Sequence, residues 1–110
     1  MSSRWNVQRT EGALRDLTEI VHWTIQNFGT RQADIYSETI ALAMEALESG
    51  PSAIGAKKRN DLGTGIHALH IARNGRKGRH FIVFRIVQPH TVEVLRILHD
   101  SMDLSARLTD

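Results

Sequence analysis

The sequence predicts an α+β fold in which an antiparallel sheet packs against a helical hairpin. The first half of the chain carries two segments with apolar residues at three- and four-residue spacing, which is typical of helices with one buried face. The second half carries three segments rich in β-branched residues and separated by turn residues, which is typical of an antiparallel meander. With a short alternating segment at the start, the predicted order is β-α-α-β-β-β.

The first strand and the first helix are predicted close to the N-terminus. Residues 4–8 alternate polar and apolar side chains, which favours a strand with Trp5 and Val7 on one face. Thr10 is a suitable N-cap for the helix that follows. The predicted buried stripe of this helix is Leu14, Leu17, Val21, Thr24 and Phe28, with Ile20 and Trp23 beside it.

A second helix is predicted after a short stop. Gly29 can take a positive φ at the end of the first helix, and Thr30 is expected to cap the second. Gly50 and Pro51 end the second helix. Because the connection is short, the two helices are expected to be antiparallel neighbours. The predicted stripe of the second helix is Tyr36, Ile40, Ala43 and Leu47, with Ile35, Leu42 and Ala46 beside it.

The second half is predicted to be a flexible loop followed by three strands. Residues 50–65 are rich in glycine and contain the basic cluster Lys57-Lys58-Arg59. Strands are expected at residues 66–73, 81–87 and 92–98, with turns between them. One face of such a meander needs cover, which the helical hairpin can supply.

Length and composition favour one cytoplasmic domain. A chain of 110 residues suits a single domain over residues 1–110. The chain contains no cysteine, so disulfides and thiolate metal sites are excluded. Its first residues lack the apolar core of a signal peptide, and no run approaches the ~20 apolar residues of a membrane span. We therefore expect a cytoplasmic protein without a membrane partner.

Basic residues are concentrated in the second half. Residues 57–99 hold nine basic and two acidic side chains, whereas residues 1–56 hold four basic and seven acidic ones. A basic half of this kind attracts an anionic partner, either nucleic acid or an acidic protein surface. The alternative is an ordinary solvated sheet edge.

Several segments, in order and at matching spacing, resemble the ParE branch of the RelE/ParE toxin superfamily, whose element order is also β-α-α-β-β-β. The resemblance spans residues 4–108. The matching segments are Asp16-Leu17-Thr18-Glu19-Ile20, Asn27-Phe28-Gly29 with Ala33 and Tyr36, Gly50-Pro51, Phe84-Arg85-Ile86, and Arg96-Ile97-Leu98-His99 followed by Met102-Asp103.

The resemblance implies the toxin of a type II toxin–antitoxin pair, of the kind that stabilises plasmids and inhibits growth. ParE toxins inhibit DNA gyrase by direct binding, and the A subunit is the expected contact. A ParD-like antitoxin neutralises them in a hetero-oligomeric complex. This function needs no cofactor and no catalytic residues.

The target-contacting residues are expected in the basic loop and at the strand ends. The tail, residues 99–108, is a second candidate because the resemblance is densest there. The antitoxin is expected to dock on the apolar surface of the helical hairpin that the sheet leaves uncovered, or in the groove between the two. The expected target contacts are Lys57, Lys58, Arg59, Arg76, Lys77 and Arg79.

Two other functions stay open. A RelE-type, ribosome-dependent mRNA endoribonuclease would use Arg73, Arg85 and His99 as cations and acid–base group. The only tyrosine, Tyr36, is in a predicted helix and not near the C-terminus, which disfavours this function. The simpler interpretation pairs Arg85 with a carboxylate and holds His99 by a hydrogen bond to the tail. The third possibility is a non-toxic member of the fold.

Histidines can bind metal ions and tryptophans can stack on nucleic acid, but we expect neither kind of site here. His67 and His70 are three residues apart on a predicted strand, so alternation sends them to opposite faces. We therefore expect no specific metal site. Trp5 and Trp23 are expected in the core, and stacking on nucleic acid is the alternative for them.

Overall fold

A computed structural model describes residues 4–108, so residues 1–3 and 109–110 of the predicted domain lie outside the described residues. The predicted element order is confirmed, with three short additions: a 3-10 segment, a two-residue strand and a C-terminal helix. The elements are β1 (Asn6–Arg9), α1 (Glu11–Phe28), α2 (Thr30–Ala46), a 3-10 segment (Leu47–Ser52), β2 (Lys57–Lys58), β3 (Ile66–His70), β4 (His80–Val87), β5 (Thr91–His99) and α3 (Leu104–Leu108).

The five strands form one sheet in the order β1-β5-β4-β3-β2. The predicted meander is confirmed, because β3, β4 and β5 pair antiparallel in sequence. The sheet is nevertheless mixed, since β1 pairs parallel with β5. These two strands are far apart in sequence and no hairpin joins them, so turn residues give no sign of their orientation.

Two local predictions are wrong. The basic cluster is not in a flexible loop: Lys57 and Lys58 form the edge strand β2 against β3, and the Arg59 N–H donates to the Ile66 carbonyl over 2.8 Å. Thr30 does not cap α2, because the helix already begins at that residue. Gly29, with a φ of 91°, occupies the cap position, and no side chain caps the helix there.

The main core lies between the helical hairpin and one face of the sheet. Its predicted α2 stripe is confirmed, with Ile40, Ala43 and Leu47 fully buried. A β-bulge in β5 at Leu95 changes which residues of that strand face the helices, so Val94 and Ile97 join the same core. A smaller cluster, Val83, Leu98 and Leu104, lies apart from this core and includes a residue of α3.

The predicted stripe of α1 is only partly correct. Leu17 and Ile20 pack against the core, but Leu14, Trp23 and Phe28 are exposed. The buried positions of α1 are Ala13, Asp16 and Thr24. Within residues 4–108, no helix has the length and apolar character needed to cross a membrane.

Candidate functional site

A carboxylate on α1 holds the helix against the edge of β5. β1 pairs only with residues 91–94 of β5, so the backbone edge beyond that point needs another partner. Oδ2 of Asp16 accepts the Ile97 N–H over 2.9 Å. The same carboxylate accepts Nε and Nη2 of Arg96 over 2.7 and 3.0 Å. The Asp16 side chain is only 10% exposed, whereas that of Arg96 is 32% exposed, so the carboxylate is the shielded partner of this bidentate pair.

A groove of about 890 Å³ opens between α1, the end of β5 and the start of the tail. We call it the α1–β5 groove. Pockets of a few hundred to about 1,000 Å³ are the usual size for ligand sites. Its lining residues are Asp16, Glu19, Ile20, Trp23, Thr24, Phe28, Gln32, Tyr36, Arg79, His80, Arg96, Ile97, Leu98, His99, Met102 and Arg107.

Two aromatic side chains of α1 line this groove. Trp23 is 58% exposed and Phe28 is 64% exposed, and their rings meet edge to face with centroids 5.7 Å apart. The expectation that Trp23 packs in the core is therefore wrong. Trp5 is only partly buried: it packs at the margin of the core and stacks on His90.

The inner end of the groove carries a hydrogen-bonded tyrosine–histidine pair. Oη of Tyr36 lies 2.6 Å from Nδ1 of His80 and accepts the Arg79 N–H over 2.9 Å. Burial raises the pKa of the Tyr36 phenol above its usual value. The His80 ring meets the His99 ring nearly at a right angle, with centroids 5.1 Å apart.

His80 is a neutral imidazole at physiological pH. Burial, followed by the neighbouring His99, lowers the pKa of His80 from 6.5 to about 4. Asp100 and Asp16 act in the opposite direction but do not offset the burial. A neutral imidazole can accept a hydrogen bond, as Nδ1 does from Tyr36, but a pKa of about 4 makes His80 a weak base at neutral pH.

Asp100 organises the groove margin. The Arg79 guanidinium, and then His70, hold the pKa of the Asp100 carboxyl well below its usual range. Nε2 of His70 lies 2.9 Å from this carboxylate, while its Nδ1 accepts the Ala72 N–H. His99 is held by the tail, as predicted, because its Nδ1 lies 2.7 Å from the Ser101 hydroxyl and accepts the Ser101 N–H.

The buried His80 predicts a loss of stability in mild acid. Its folded pKa of about 4 lies below the ordinary 6.5, so the unfolded chain binds more protons between these values. The free energy of unfolding should therefore fall as the pH drops from 6.5 to 4, by roughly 1–2 kcal/mol for this one group after the partial exposure of its ring is taken into account. Urea unfolding at several pH values measures the slope.

The matched variant is His80→Asn, which keeps an acceptor for Tyr36 but does not titrate. Its free energy of unfolding should depend less on pH than that of the wild type between pH 4.5 and 6.5. Equal slopes for the two proteins would show that His80 does not carry this dependence.

The structure does not bring the candidate ribonuclease residues together. His99 pairs with His80 at one end of β4, whereas Arg85 lies five residues further along that strand, roughly 17 Å away. Arg85 is paired with Glu93 over 2.7 Å, as the simpler interpretation expected. Arg73 lies outside the groove and donates to the Ile54 carbonyl.

The six expected target contacts lie in two places. Lys57, Lys58 and Arg59 are at the β2 edge of the sheet, and the other three are in and after the β3–β4 turn. Arg59 is paired with Asp61. Arg76 donates to Thr39 on α2 and pairs there with Glu38, and Arg79 pairs with Asp100. The three lysines, Lys57, Lys58 and Lys77, are exposed.

The histidines of β3 are separated as predicted. His67 stacks on Phe84 in the main core, and His70 meets Phe81 beside the smaller cluster. Within residues 4–108, no group of three or more histidine, aspartate or glutamate side chains is arranged to hold a metal ion.

Sequence reasoning missed Tyr36 and His80 as a pair. They are 44 residues apart in the sequence, and the apolar spacing of α2 indicates only that Tyr36 faces the core. Their meeting depends on how α2 packs on the sheet, for which the sequence carries no local signal. The pairing of Asp16 with Arg96 was missed for the same reason.

Solved toxin–antitoxin structures share this fold. The chain is similar to one from a chromosomal ParDE system of P. aeruginosa, with 20% identity, a TM-score of 0.71 and coverage of 89% of this chain and 98% of that one. It is similar to a chain of the RelBE2 toxin–antitoxin complex of Mycobacterium tuberculosis, with 25% identity, a TM-score of 0.55 and coverages of 87% and 98%. For a YoeB dimer of Staphylococcus aureus the values are 14%, 0.55, 84% and 93%.

The sequence matches a family model over most of its length. The model is described as the ParE toxin of the type II toxin–antitoxin system parDE, and it matches residues 7–104. This span contains both long helices, β2 to β5 and every lining residue of the α1–β5 groove except Arg107. No curated protein sequence matches the chain. The chain belongs to the ParE toxin family of type II toxin–antitoxin systems.

Proposed function

We propose that this toxin inhibits DNA gyrase by direct binding in the bacterial cytoplasm, with the A subunit as its contact, and that a ParD-like antitoxin neutralises it. The observation that carries the proposal is the family match over residues 7–104. The likeness in fold to a ParDE toxin–antitoxin system supports it.

The arrangement of polar residues supports a binding inhibitor over a ribonuclease. Cleavage at a 2′-hydroxyl needs a base, an acid and a cation around one phosphate. Arg85 and His99 lie too far apart to act on one phosphate. The groove does hold Tyr36, His80 and His99, so the ribonuclease hypothesis needs a direct test.

The order of events in cells tests the proposed function. The toxin is expressed without an antitoxin, and plasmid supercoiling and incorporation of labelled methionine are followed from the first minutes. Gyrase inhibition predicts that plasmids relax while protein synthesis continues. An immediate stop in protein synthesis with cleaved mRNA, before any change in supercoiling, would contradict the proposal and favour the ribonuclease. Unimpaired growth would favour a non-toxic member of the fold.

The exposed lysines provide a test of the gyrase contacts. Lys57, Lys58 and Lys77 can be changed without breaking an internal ion pair of the described residues, unlike Arg59, Arg76 and Arg79. We expect the variant Lys57→Glu/Lys58→Glu/Lys77→Glu to need about tenfold more toxin for half-maximal inhibition of supercoiling, because charge reversal slows association with an anionic surface.

The control for the lysine variant is Arg15→Glu, an exposed charge reversal on α1. It should inhibit like the wild type, and circular dichroism should show all three proteins folded. Undiminished inhibition by the triple variant would remove these lysines from the proposed contact surface.

The exposed side of α1 is the proposed antitoxin site. Leu14, Val21 and Ile25 follow each other at spacings of seven and four residues, so they lie along one side of the helix. Leu14 and Ile25 are large and exposed, as expected for the anchors of a docking helix or strand. This surface differs from the α1–β5 groove, whose aromatic residues are Trp23 and Phe28 on this helix.

Replacing one of these anchors should weaken the antitoxin complex selectively. We expect Ile25→Asp to raise the dissociation constant at least about tenfold, the size of an interface hot spot. Leu42→Asp, an equally exposed change on α2, should leave it unchanged. Calorimetry with the cognate antitoxin measures the dissociation constant for both variants. If both variants lost affinity equally, the exposed side of α1 would not be the antitoxin contact.

A further inference from the structure

We propose that the α1–β5 groove binds unpaired DNA, with nucleobases stacking on Trp23 and Phe28 and the phosphates contacting Arg79 and Arg107. The inference rests on the proposed function, since a toxin bound to gyrase lies beside the cut strand ends of the DNA that gyrase cleaves. It adds a nucleic-acid ligand to a toxin whose proposed contact is a protein.

The aromatic pair is the first support. Trp23 and Phe28 are large apolar residues that expose more than half of their surface at a groove. Rings in this setting are stacking platforms for nucleobases in proteins that bind single strands. Stacking of this kind tolerates any sequence, because every base has a π-face.

The charge of the groove margin is the second support. Arg79 is largely exposed, and only its Nε and Nη2 face Asp100, so the outer edge of its guanidinium points to solvent. Arg107 is exposed on the tail and lines the groove as well. Arg96 contributes little, because Asp16 accepts from its Nε and Nη2 and the Arg107 carbonyl accepts from its Nη1. Two arginines beside stacking rings match the alternation of phosphate and base along a strand.

The polar end of the groove is the third support, and it favours a nucleobase over an apolar helix. Nδ1 of His80 is bonded to Tyr36 and Nδ1 of His99 to Ser101, which leaves the Nε2 atom of each ring to donate to a base edge. An apolar helix would offer these two Nε2 atoms no acceptor. The aliphatic anchors for a protein partner lie instead on the side of α1 that carries Leu14 and Ile25.

Binding is tested without gyrase, by fluorescence anisotropy of a labelled oligodeoxythymidine of about ten nucleotides. We expect Trp23→Ala/Phe28→Ala to weaken binding at least about tenfold, and Trp23→Phe to stay within about threefold of the wild type, because phenylalanine still stacks. Ile54→Ala is the matched control: it removes an exposed apolar side chain outside the groove and should change nothing.

Salt dependence tests the phosphate contacts. Two contacts predict a slope of log K against log salt of about −1.4, and Arg107→Ala should make that slope shallower by about 0.7. No binding by the wild type at about 100 µM protein, the weak end of non-specific affinities, would overturn the proposal. So would binding that the double aromatic variant leaves intact, or a more than tenfold preference for oligouridine.

DNA binding at the α1–β5 groove and gyrase inhibition can be contradicted independently of each other. Gyrase inhibition without oligonucleotide binding would overturn the DNA site and leave the proposed function standing. Oligonucleotide binding that depends on Trp23 and Phe28, with gyrase unaffected, would support the site and overturn the gyrase target.

Discussion

Asp16→Ala should lower the free energy of unfolding by about 3 kcal/mol, because one largely buried carboxylate is the acceptor both for Arg96 and for a buried backbone N–H. The change removes the bidentate partner of Arg96 and the acceptor of the Ile97 N–H, at the edge of β5 that β1 does not cover. For a domain of this size the melting temperature should fall by roughly 12 °C or more. Chemical and thermal unfolding followed by circular dichroism measure both quantities.

Arg85→Ala is the control for this prediction. It breaks an ion pair with Glu93 of equal length, but the Arg85 side chain is 55% exposed. Such surface pairs contribute at most about 1 kcal/mol. If the two variants lost similar stability, the Asp16–Arg96 pair would not be the connection that holds α1 on β5.

Gly50→Ala should cost about 4 kcal/mol, from backbone strain and a steric clash together. Gly50 has φ of 69° and ψ of −150°, a region that is open essentially only to glycine. An added Cβ would clash with the Trp5 ring at Nε1, Cε2 and Cδ1. The ring cannot easily yield, because it stacks on His90 with centroids 4.1 Å apart.

Gly29→Ala separates the two causes. Gly29 has φ of 91° and ψ of 171°, a similar backbone conformation, but a Cβ there would meet nothing within 4 Å. This variant should show only the strain, about 1–2 kcal/mol. Equal losses in the two glycine variants would mean that the contact with Trp5 carries no part of the effect.

Much of the fold could be predicted because local pattern and packing agree. Ile40, Ala43 and Leu47 recur at helical spacing and are fully buried, the first two in α2 and the third at the start of the 3-10 segment that continues it. The three long strands are β-branched segments between turns, and they pair in sequence. The parallel pairing of β1 was not predicted, because it joins segments more than 80 residues apart.

α1 shows where hydrophobic periodicity fails. Its most regular apolar spacing includes Leu14 and Phe28, which are exposed, while Asp16 is buried. The reason is that α1 lies along the backbone edge of β5. The Ile97 N–H on that edge needs a hydrogen-bond acceptor, which α1 can supply only at close approach. A carboxylate that is matched by a strand arginine satisfies that edge, and no hydrophobic pattern indicates it.

The candidate site could be predicted only in part. His99 and the tail were identified from the resemblance, and both line the α1–β5 groove or flank it. Arg79 was expected as a contact and lines the groove too. Tyr36, His80 and the exposed rings of Trp23 and Phe28 were not expected there, because long-range packing decides which side of each helix faces the sheet.

A supercoiling reaction with purified gyrase, relaxed plasmid and this toxin is the direct test of the proposed inhibition of gyrase. Reactions run with and without ATP and are stopped with detergent and protease, so that supercoiled, relaxed and linear plasmid are resolved on one gel. If the toxin inhibits gyrase by direct binding, supercoiling stops as toxin is added, protein-linked linear DNA accumulates, and the antitoxin reverses both effects. Undisturbed supercoiling at a large excess of folded toxin would contradict it.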